Sequence, residues 1–341
     1  SPLATLLFFI FSALSAIMRR TDTRTAKGLL RVAEIVDSTY GSRSGAEGGF
    51  PAFPPRKTDG KEEDAMLPGE ERKPSWLKVT LAASPMLGEV RRTLRELRLT
   101  TVCEEARCPN RQECFGSGTA TFMLLGDVCT RNCRFCAVKT GRPAPPDPDE
   151  PLRVAEGARR LGLRYVVLTS VARDDLPDGG AGHFAETVHA LKRAIPGVRV
   201  EVLVPDFQGD REALCTVLTS GVDVFNHNVE TVRRLTPSVR ARATYDRSLS
   251  VLAAAKACTP HVPTKSGFMV GLGETPEEIE ELLRDLRDAR VDLLTVGQYL
   301  RPTPAQLPVV RYYSPEEFQE IARKAYALGF AYVAAGPLVR S

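Results

Sequence analysis

Between residues 121 and 297 the chain places six apolar runs of strand length among amphipathic helical segments. The runs are TFMLLG (121–126), YVVLTS (165–170), VRVEVLV (198–204), DVFNHN (223–228), KSGFMVG (265–271) and LLTVG (293–297). Helical patterns such as GHFAETVHALKRAI (182–195) and TPEEIEELLRDLRDA (275–289) lie between them. Strands that alternate with helices pair in parallel, because a tight hairpin joins only antiparallel neighbours. No G-x-G-x-x-G follows the first run, which argues against a dinucleotide-binding sheet. The expected fold is therefore α/β, a partial (β/α)6 TIM-type barrel with an N-terminal cysteine-rich extension. Chemistry in such a fold collects at the C-terminal ends of the strands.

Composition constrains partners only loosely. With 341 residues, 43% hydrophobic, and a net charge of +4, the chain has the make-up of an ordinary globular protein. No run of Lys and Arg interleaved with aromatics marks the body of the chain, so nucleic acid is not expected as a partner. Residues 3–18 are almost wholly apolar and precede Arg19-Arg20. That stretch is shorter than the roughly twenty residues a membrane helix needs, so a membrane is not expected either. It reads as a signal h-region, as a marginal anchor, or as residues upstream of a true start at Met18. From Met18 onward the Arg-, Ser- and Thr-rich sequence resembles an organelle transit peptide, which sets the expectation of a mitochondrial protein, or alternatively a plastid one. Residues 40–74 are rich in Gly, Pro and charge and read as a linker. The expected organisation is a leader and linker over 1–74, a cysteine-bearing extension over 75–120, and the barrel over 121–341. Order begins near Trp76, and Ser84-Pro85 signals a helix with Leu87, Val90, Leu94 and Leu97 on one stripe.

The chain has eight cysteines, none in its first hundred residues and six between positions 103 and 136. Four disulfides in a secreted protein would fit the count but not that crowding. Cys129-x3-Cys133-x2-Cys136 follows the first strand at once, where a barrel puts its site. A cubane cluster takes four thiolates, so three cysteines leave one iron open to substrate. An open position is what separates a catalytic metal site from a closed structural one. Structural zinc remains the alternative, although it usually asks for two paired sets with a longer gap. Cys215 and Cys258 stand alone and read as core thiols.

C-x3-C-x2-C, with the aromatic Phe135 before its third cysteine, resembles the signature of the radical S-adenosylmethionine superfamily. Upstream, Cys103-x4-Cys108-x5-Cys114 lies in TVCEEARCPNRQECFGSGTATFMLLGDVCTRNCRFCAVKTG, a stretch that resembles the lipoyl synthase family. RKPSWLK (72–78), TSVARDDLPDGGAGHFAETV (169–188), DVFNHNVETV (223–232), TVGQYLRPT (295–303) and GPLVRS (336–341) look like blocks of that family, so the resemblance covers roughly 74–341. It implies two [4Fe–4S] clusters and S-adenosyl-L-methionine as cofactors. Cys129, Cys133 and Cys136 would hold the cluster that generates a 5′-deoxyadenosyl radical. Cys103, Cys108 and Cys114 would hold an auxiliary cluster consumed as sulfur donor. The implied reaction is a sulfurtransferase insertion of two sulfur atoms at C6 and C8 of a protein-bound octanoyl-lysine. Implied partners are octanoylated lipoyl-carrier domains, such as those of 2-oxoacid dehydrogenase E2 and the glycine cleavage H protein, and an electron donor such as ferredoxin. The nearest rival is a biotin synthase-type enzyme, and a two-cluster ferredoxin-like carrier is another; the upstream triplet and the long βα body argue against each.

Other candidates for cofactor binding are Phe135, Thr169, Ser170, Glu201, Arg240, Gly271 and Glu274. Thr169 and Ser170 end the second strand, and Glu201 is a carboxylate inside an apolar strand, which is costly unless paired. Arg240 and Arg242 read equally as partners of the methionine carboxylate or as a solvated basic turn. Gly271 and Glu274 lie in GFMVGLGE, which resembles the superfamily's Gly-rich strand beside the adenosyl group. His227 reads equally as cofactor-facing or as hydrogen-bonded in the core. Two positions depart from the family: Ala172 stands where an acidic residue is usual, and the sequence stops at Ser341, the first serine of an R-S-S-Y block in which one serine ligates the auxiliary cluster. On that ground the chain reads as C-terminally truncated.

Overall fold

All six expected strands form, and a seventh follows them. The computed structural model describes residues 73–77, 85–108, 110–116 and 121–340, which lie in a compact unit running from 71 to 341. The apolar stretch at 3–18, the transit-like sequence, nearly all of the 1–74 leader and linker, Ser84 and Ser341 fall outside the described residues. Among those described, no helix is long and apolar enough to cross a membrane.

The extension contributes three helices, α1 (Pro85–Glu96), α2 (Val102–Glu105) and α3 (Arg111–Gly116). The barrel strands are β1 (Thr121–Leu124), β4 (Tyr165–Ser170), β5 (Arg199–Leu203), β6 (Val224–Asn226), β7 (Thr264–Val270), β8 (Leu293–Gln298) and β9 (Tyr332–Gly336). They pair in parallel in that order, and β1 does not pair with β9, so the barrel is partial. The two-residue pieces β2 (Val128–Cys129) and β3 (Lys139–Thr140) form a small separate ladder beneath the cysteine loop. The crossovers carry α4 (Glu150–Arg160), α5 (Ala181–Ala194), α6 (Arg211–Thr219), α7 (Thr236–Val239), α8 (Tyr245–Cys258), α9 (Pro276–Asp288) and α10 (Pro315–Ala327).

Continuous burial along β6 and β8 reflects a parallel sheet covered on both faces. Helix starts follow their local chemistry. Thr275 and Ser314 each form a capping box with the Glu three residues on, and a proline takes the first helical position of α9 and α10. Edge-to-face packing of Phe184 on Phe207, with centroids 6.4 Å apart, joins α5 to the loop after β5.

The extension packs against the open side of the barrel. Thr101 bridges Phe122 in antiparallel fashion, and the Met123 amide donates to the Thr100 carbonyl at 2.9 Å, so the extension pairs with the β1 edge. A Cβ on Gly157 of α4 would lie 2.6 Å from Leu99 Cδ1, which shows how closely the extension sits on that helix. Asn110 Nδ2 donates to the Leu338 carbonyl at 2.6 Å, just beyond β9. Residues 99–110 thus connect the two sheet edges that do not meet each other.

Candidate metal centres

A left-handed turn at Leu125 and Gly126 carries the chain from β1 into the loop that holds Cys129, Cys133 and Cys136. This loop lies over the C-terminal ends of the strands and is tied down from several sides. The Thr130 hydroxyl donates to the Ala172 carbonyl at 3.0 Å and accepts from the Asp174 amide at 3.1 Å. The Arg134 amide donates to the Val239 carbonyl at 2.9 Å, and Leu307 donates to the Arg134 carbonyl at 3.0 Å. Gln306 Nε2 donates to the Cys136 carbonyl at 3.1 Å.

Arg131, between the first two cysteines, is the strongest of these anchors. Its guanidinium engages Asp174 from Nε at 2.8 Å and Nη2 at 2.7 Å, and reaches Asp206 Oδ1 at 2.6 Å. Asp206, which is 1% exposed, also meets Arg247 at 3.2 Å and accepts from the Gln208 amide. Although burial opposes ionisation, Arg131 carries the Asp206 carboxyl down to about 2.

None of the eight cysteines is joined in a disulfide with another described residue. Burial pushes Cys133 up and Cys136 up to about 11, with the neighbouring thiols adding to the rise, while the Arg240 guanidinium opposes it at Cys133. In the upstream triplet burial lifts Cys103 to about 11, and Cys108 and Cys114 raise it further. The members of each triplet therefore lie within electrostatic reach of one another. Among the described residues no three His, Cys, Asp or Glu side chains converge tightly enough to hold a single metal ion. Metal must displace the thiol protons when it binds.

The remaining sequence candidates occupy distinct surroundings. Thr169 is buried and donates to the Leu203 carbonyl at 2.9 Å. The Ser170 hydroxyl is buried at the end of β4 and has no partner among the described residues. Glu201 is held in the barrel interior by Lys265 Nζ at 2.8 Å, the Tyr165 hydroxyl at 2.6 Å and Asn226 Nδ2 at 3.1 Å. Burial alone would raise its carboxyl, yet the attraction of Lys265 and these hydrogen bonds bring it below the ordinary value. Arg240 is buried and donates to Ser248 Oγ at 2.7 Å and to the Val229 carbonyl at 3.3 Å. Burial lowers its guanidinium, and Glu230, Cys133 and Asp206 oppose that. His227 sits in the same relay: Nδ1 donates to the Val204 carbonyl at 2.9 Å, and Nε2 accepts from Ser248 Oγ at 3.0 Å. Burial, helped by Arg240, lowers this imidazole to about 4.

Gly271 and Glu274 build one turn. The Glu274 carboxylate accepts from the Gly271 amide at 2.6 Å and the Leu272 amide at 2.9 Å. Gly271 has φ +104°, and a Cβ there would lie 2.1 Å from Gln298 Nε2. Phe135 packs with Val239, Leu272 and Tyr299 in a small apolar cluster. Sequence reading did not single out Arg131, Asp206, Glu230 or Lys265. Only Lys265 carried a sequence signal, as a cation in an apolar strand that answers the anion in another.

At the upstream triplet, Cys103 lies in α2, Cys114 in α3 and Cys108 between them. Residues after β9 come back to the extension through the Asn110–Leu338 hydrogen bond, and the Arg340 guanidinium, lowered by burial, is favoured by the Cys108 sulfur.

The radical SAM superfamily model matches residues 123–286, and the model for the N-terminal domain of lipoyl synthase matches 55–108. Lipoyl synthase of Rubrobacter xylanophilus is 54% identical over 295 residues, covering 85% of this chain and 91% of that protein. Lipoyl synthase of Thermus thermophilus is 59% identical over 276 residues, covering 80% and 85%. The crystal structure of methylornithine synthase superposes with a TM-score of 0.51 at 16% identity, over 76% of this chain and 85% of that one, which supports the fold alone. These lipoyl synthases, like that of Deinococcus radiodurans, are bacterial, which overturns the mitochondrial or plastid placement read from the Arg-rich leader. Arg, Ser and Thr enrichment is a compositional bias that a bacterial sequence shares freely. Triplets, barrel and relatives agree, and the chain belongs to the lipoyl synthase family of radical S-adenosylmethionine proteins.

Proposed function

We propose that this chain is a lipoyl synthase whose two triplets divide the work of inserting sulfur at C6 and C8 of a protein-bound octanoyl-lysine. The observation that carries this reading is the pair of cysteine triplets, one on the loop after β1 and one on the extension. When bound, a cluster on Cys129, Cys133 and Cys136 with S-adenosyl-L-methionine supplies radical hydrogen abstraction, and a cluster on Cys103, Cys108 and Cys114 supplies sulfur. No side-chain base can remove a proton from an alkyl chain, so the protein's own task is to position groups and exclude water.

Arg240 is the residue proposed to receive the methionine carboxylate, because its guanidinium is buried beside Cys133 without a directly bonded carboxylate among its hydrogen bonds. Ser170 offers a buried hydroxyl with no hydrogen-bond partner among the described residues at the adjoining strand end, and Thr169 fixes the strand beneath it. Gly271 lets the backbone pass close to Gln298, and Glu274 holds that turn, which is proposed to lie against the adenosyl group. Phe135 packs the cysteine loop onto α7 and the residues after β8. Glu201, saturated by Lys265, Tyr165 and Asn226, stiffens the barrel beneath the site. The carriers proposed are lipoyl domains of 2-oxoacid dehydrogenase E2 and the glycine cleavage H protein, and the electron donor a ferredoxin.

Anaerobic reconstitution followed by mass analysis of an octanoyl-lysine peptide tests the reading. A product carrying two added sulfurs supports it. Cleavage of S-adenosyl-L-methionine with no sulfur in the peptide contradicts it.

A further inference from the structure

Cys129 differs from the other two cysteines of its loop in how its sulfur is solvated. Two backbone amides donate to it, from Arg131 at 3.4 Å and from Ala172 at 3.3 Å. At Cys133 and Cys136 the backbone at Ala241 and at Val138 only partly offsets the rise that burial imposes on the thiol. The two donors to Cys129 come from separate segments, the cysteine loop and the loop after β4. One ion cluster couples them. Arg131 lies two residues after Cys129, Asp174 lies two residues after Ala172, and the guanidinium grips that carboxylate through two parallel bonds. Asp206, from the loop after β5, fixes the same guanidinium from a third segment. Thr130 adds a stitch between the same two loops. Arg131 is 7% exposed, so solvent screens little of this.

Amide hydrogen bonds to a ligating sulfur stabilise the more negative, reduced state of an iron–sulfur cluster and raise its reduction potential. We propose that Arg131 is a positioning residue for the electron-transfer step, its guanidinium clamped by Asp174 and Asp206 so that both amides stay on the Cys129 sulfur and keep the downstream cluster reducible. The inference rests on the cluster assignment proposed above. It adds that the loop's single buried arginine sets how easily that cluster takes an electron.

The test is a redox titration followed by electron paramagnetic resonance, on anaerobically reconstituted protein in which Cys103, Cys108 and Cys114 are alanine, leaving one cluster to observe. Arg131→Met is expected to keep its iron while the reduced-to-oxidised ratio at a fixed potential falls about tenfold, equivalent to ~59 mV for a one-electron couple. Arg131→Lys, which keeps the charge but not the fork, and Asp174→Asn are expected to fall in the same direction by less. Should Arg131→Met fail to hold iron, those two milder variants decide. An unchanged potential in variants that retain the cluster overturns the inference. Absence of any reducible cluster from the protein with an intact Cys129, Cys133 and Cys136 set overturns instead the assignment beneath it.

Discussion

Cys129, Cys133 and Cys136 ride on an irregular loop whose position is dictated from outside it, by strand ends, by α7 and by a buried ion cluster. Cys103 and Cys114 lie instead on two short helices, with Cys108 between them, whose backbone hydrogen bonds are mostly local. Thr101 caps α2, the Cys108 amide returns to the Cys103 carbonyl at 3.1 Å, and the Cys114 amide to the Asn110 carbonyl at 2.9 Å. Helices of four and six residues do not stand alone in water. They depend on the Thr101–Phe122 bridge and the Asn110–Leu338 hydrogen bond for their place on the barrel. A site that must return unchanged after each turnover gains from a rigid frame. A site proposed to be dismantled and rebuilt gains from one that is local and easily re-formed.

That contrast is open to attack from either side. The largest effect is expected beneath the rigid site. Lys265→Met strands the buried Glu201 carboxylate and should cost about 3–5 kcal/mol in denaturant unfolding, much of it recovered when Glu201→Leu is added. Recovery in the double variant would show that the pair shapes the interior more than it stabilises it.

Next comes a pH effect at His227. Its imidazole is lowered from an ordinary 6.5 to about 4 in the folded protein, so between those values the unfolded chain binds a proton that the folded one refuses. Stability from this group is complete above pH 6.5 and is lost as pH falls toward 4, by about 3 kcal/mol. His227→Asn should flatten that part of the stability–pH curve, and a curve left unaltered would refute the assignment.

Arg131→Met leaves Asp206 with Arg247 alone and should cost about 2–3 kcal/mol, less than the Lys265 variant because one partner survives. The smallest effect belongs to the extension. Asn110→Ala removes one hydrogen bond, with an expected cost of about 1 kcal/mol. Hydrogen exchange should quicken in 102–116 and stay unchanged around Cys129. Faster exchange at both triplets would erase the distinction between them.

The sequence made the barrel readable because its strand-like runs alternate with helical patterns. The seventh strand, Tyr332–Gly336, is missed by the same reasoning, since Ala334, Ala335 and Gly336 have little strand preference and its place is set by pairing with β8. The downstream triplet stood out by its spacing after the first strand, whereas the role expected of the upstream triplet rested chiefly on the family resemblance. Glu201 was legible as an anomaly in an apolar strand, but its partner lies 64 positions away across β6, a distance only the fold supplies. Arg131 gave no local sign at all: between two cysteines it looks like a solvated charge until Asp174 and Asp206 are brought to it by β4 and β5.

The central claim, that two triplets carry two clusters with separate roles, is tested most directly by counting iron in three reconstituted proteins. The intact chain should hold about eight irons, and variants with either triplet replaced by alanine about four each. Loss of Cys103, Cys108 and Cys114 should leave S-adenosyl-L-methionine cleavage intact while abolishing sulfur transfer, and loss of Cys129, Cys133 and Cys136 should abolish both. Cleavage that survives without Cys129, Cys133 and Cys136, or iron content that falls to nothing when either triplet is removed, would contradict the account.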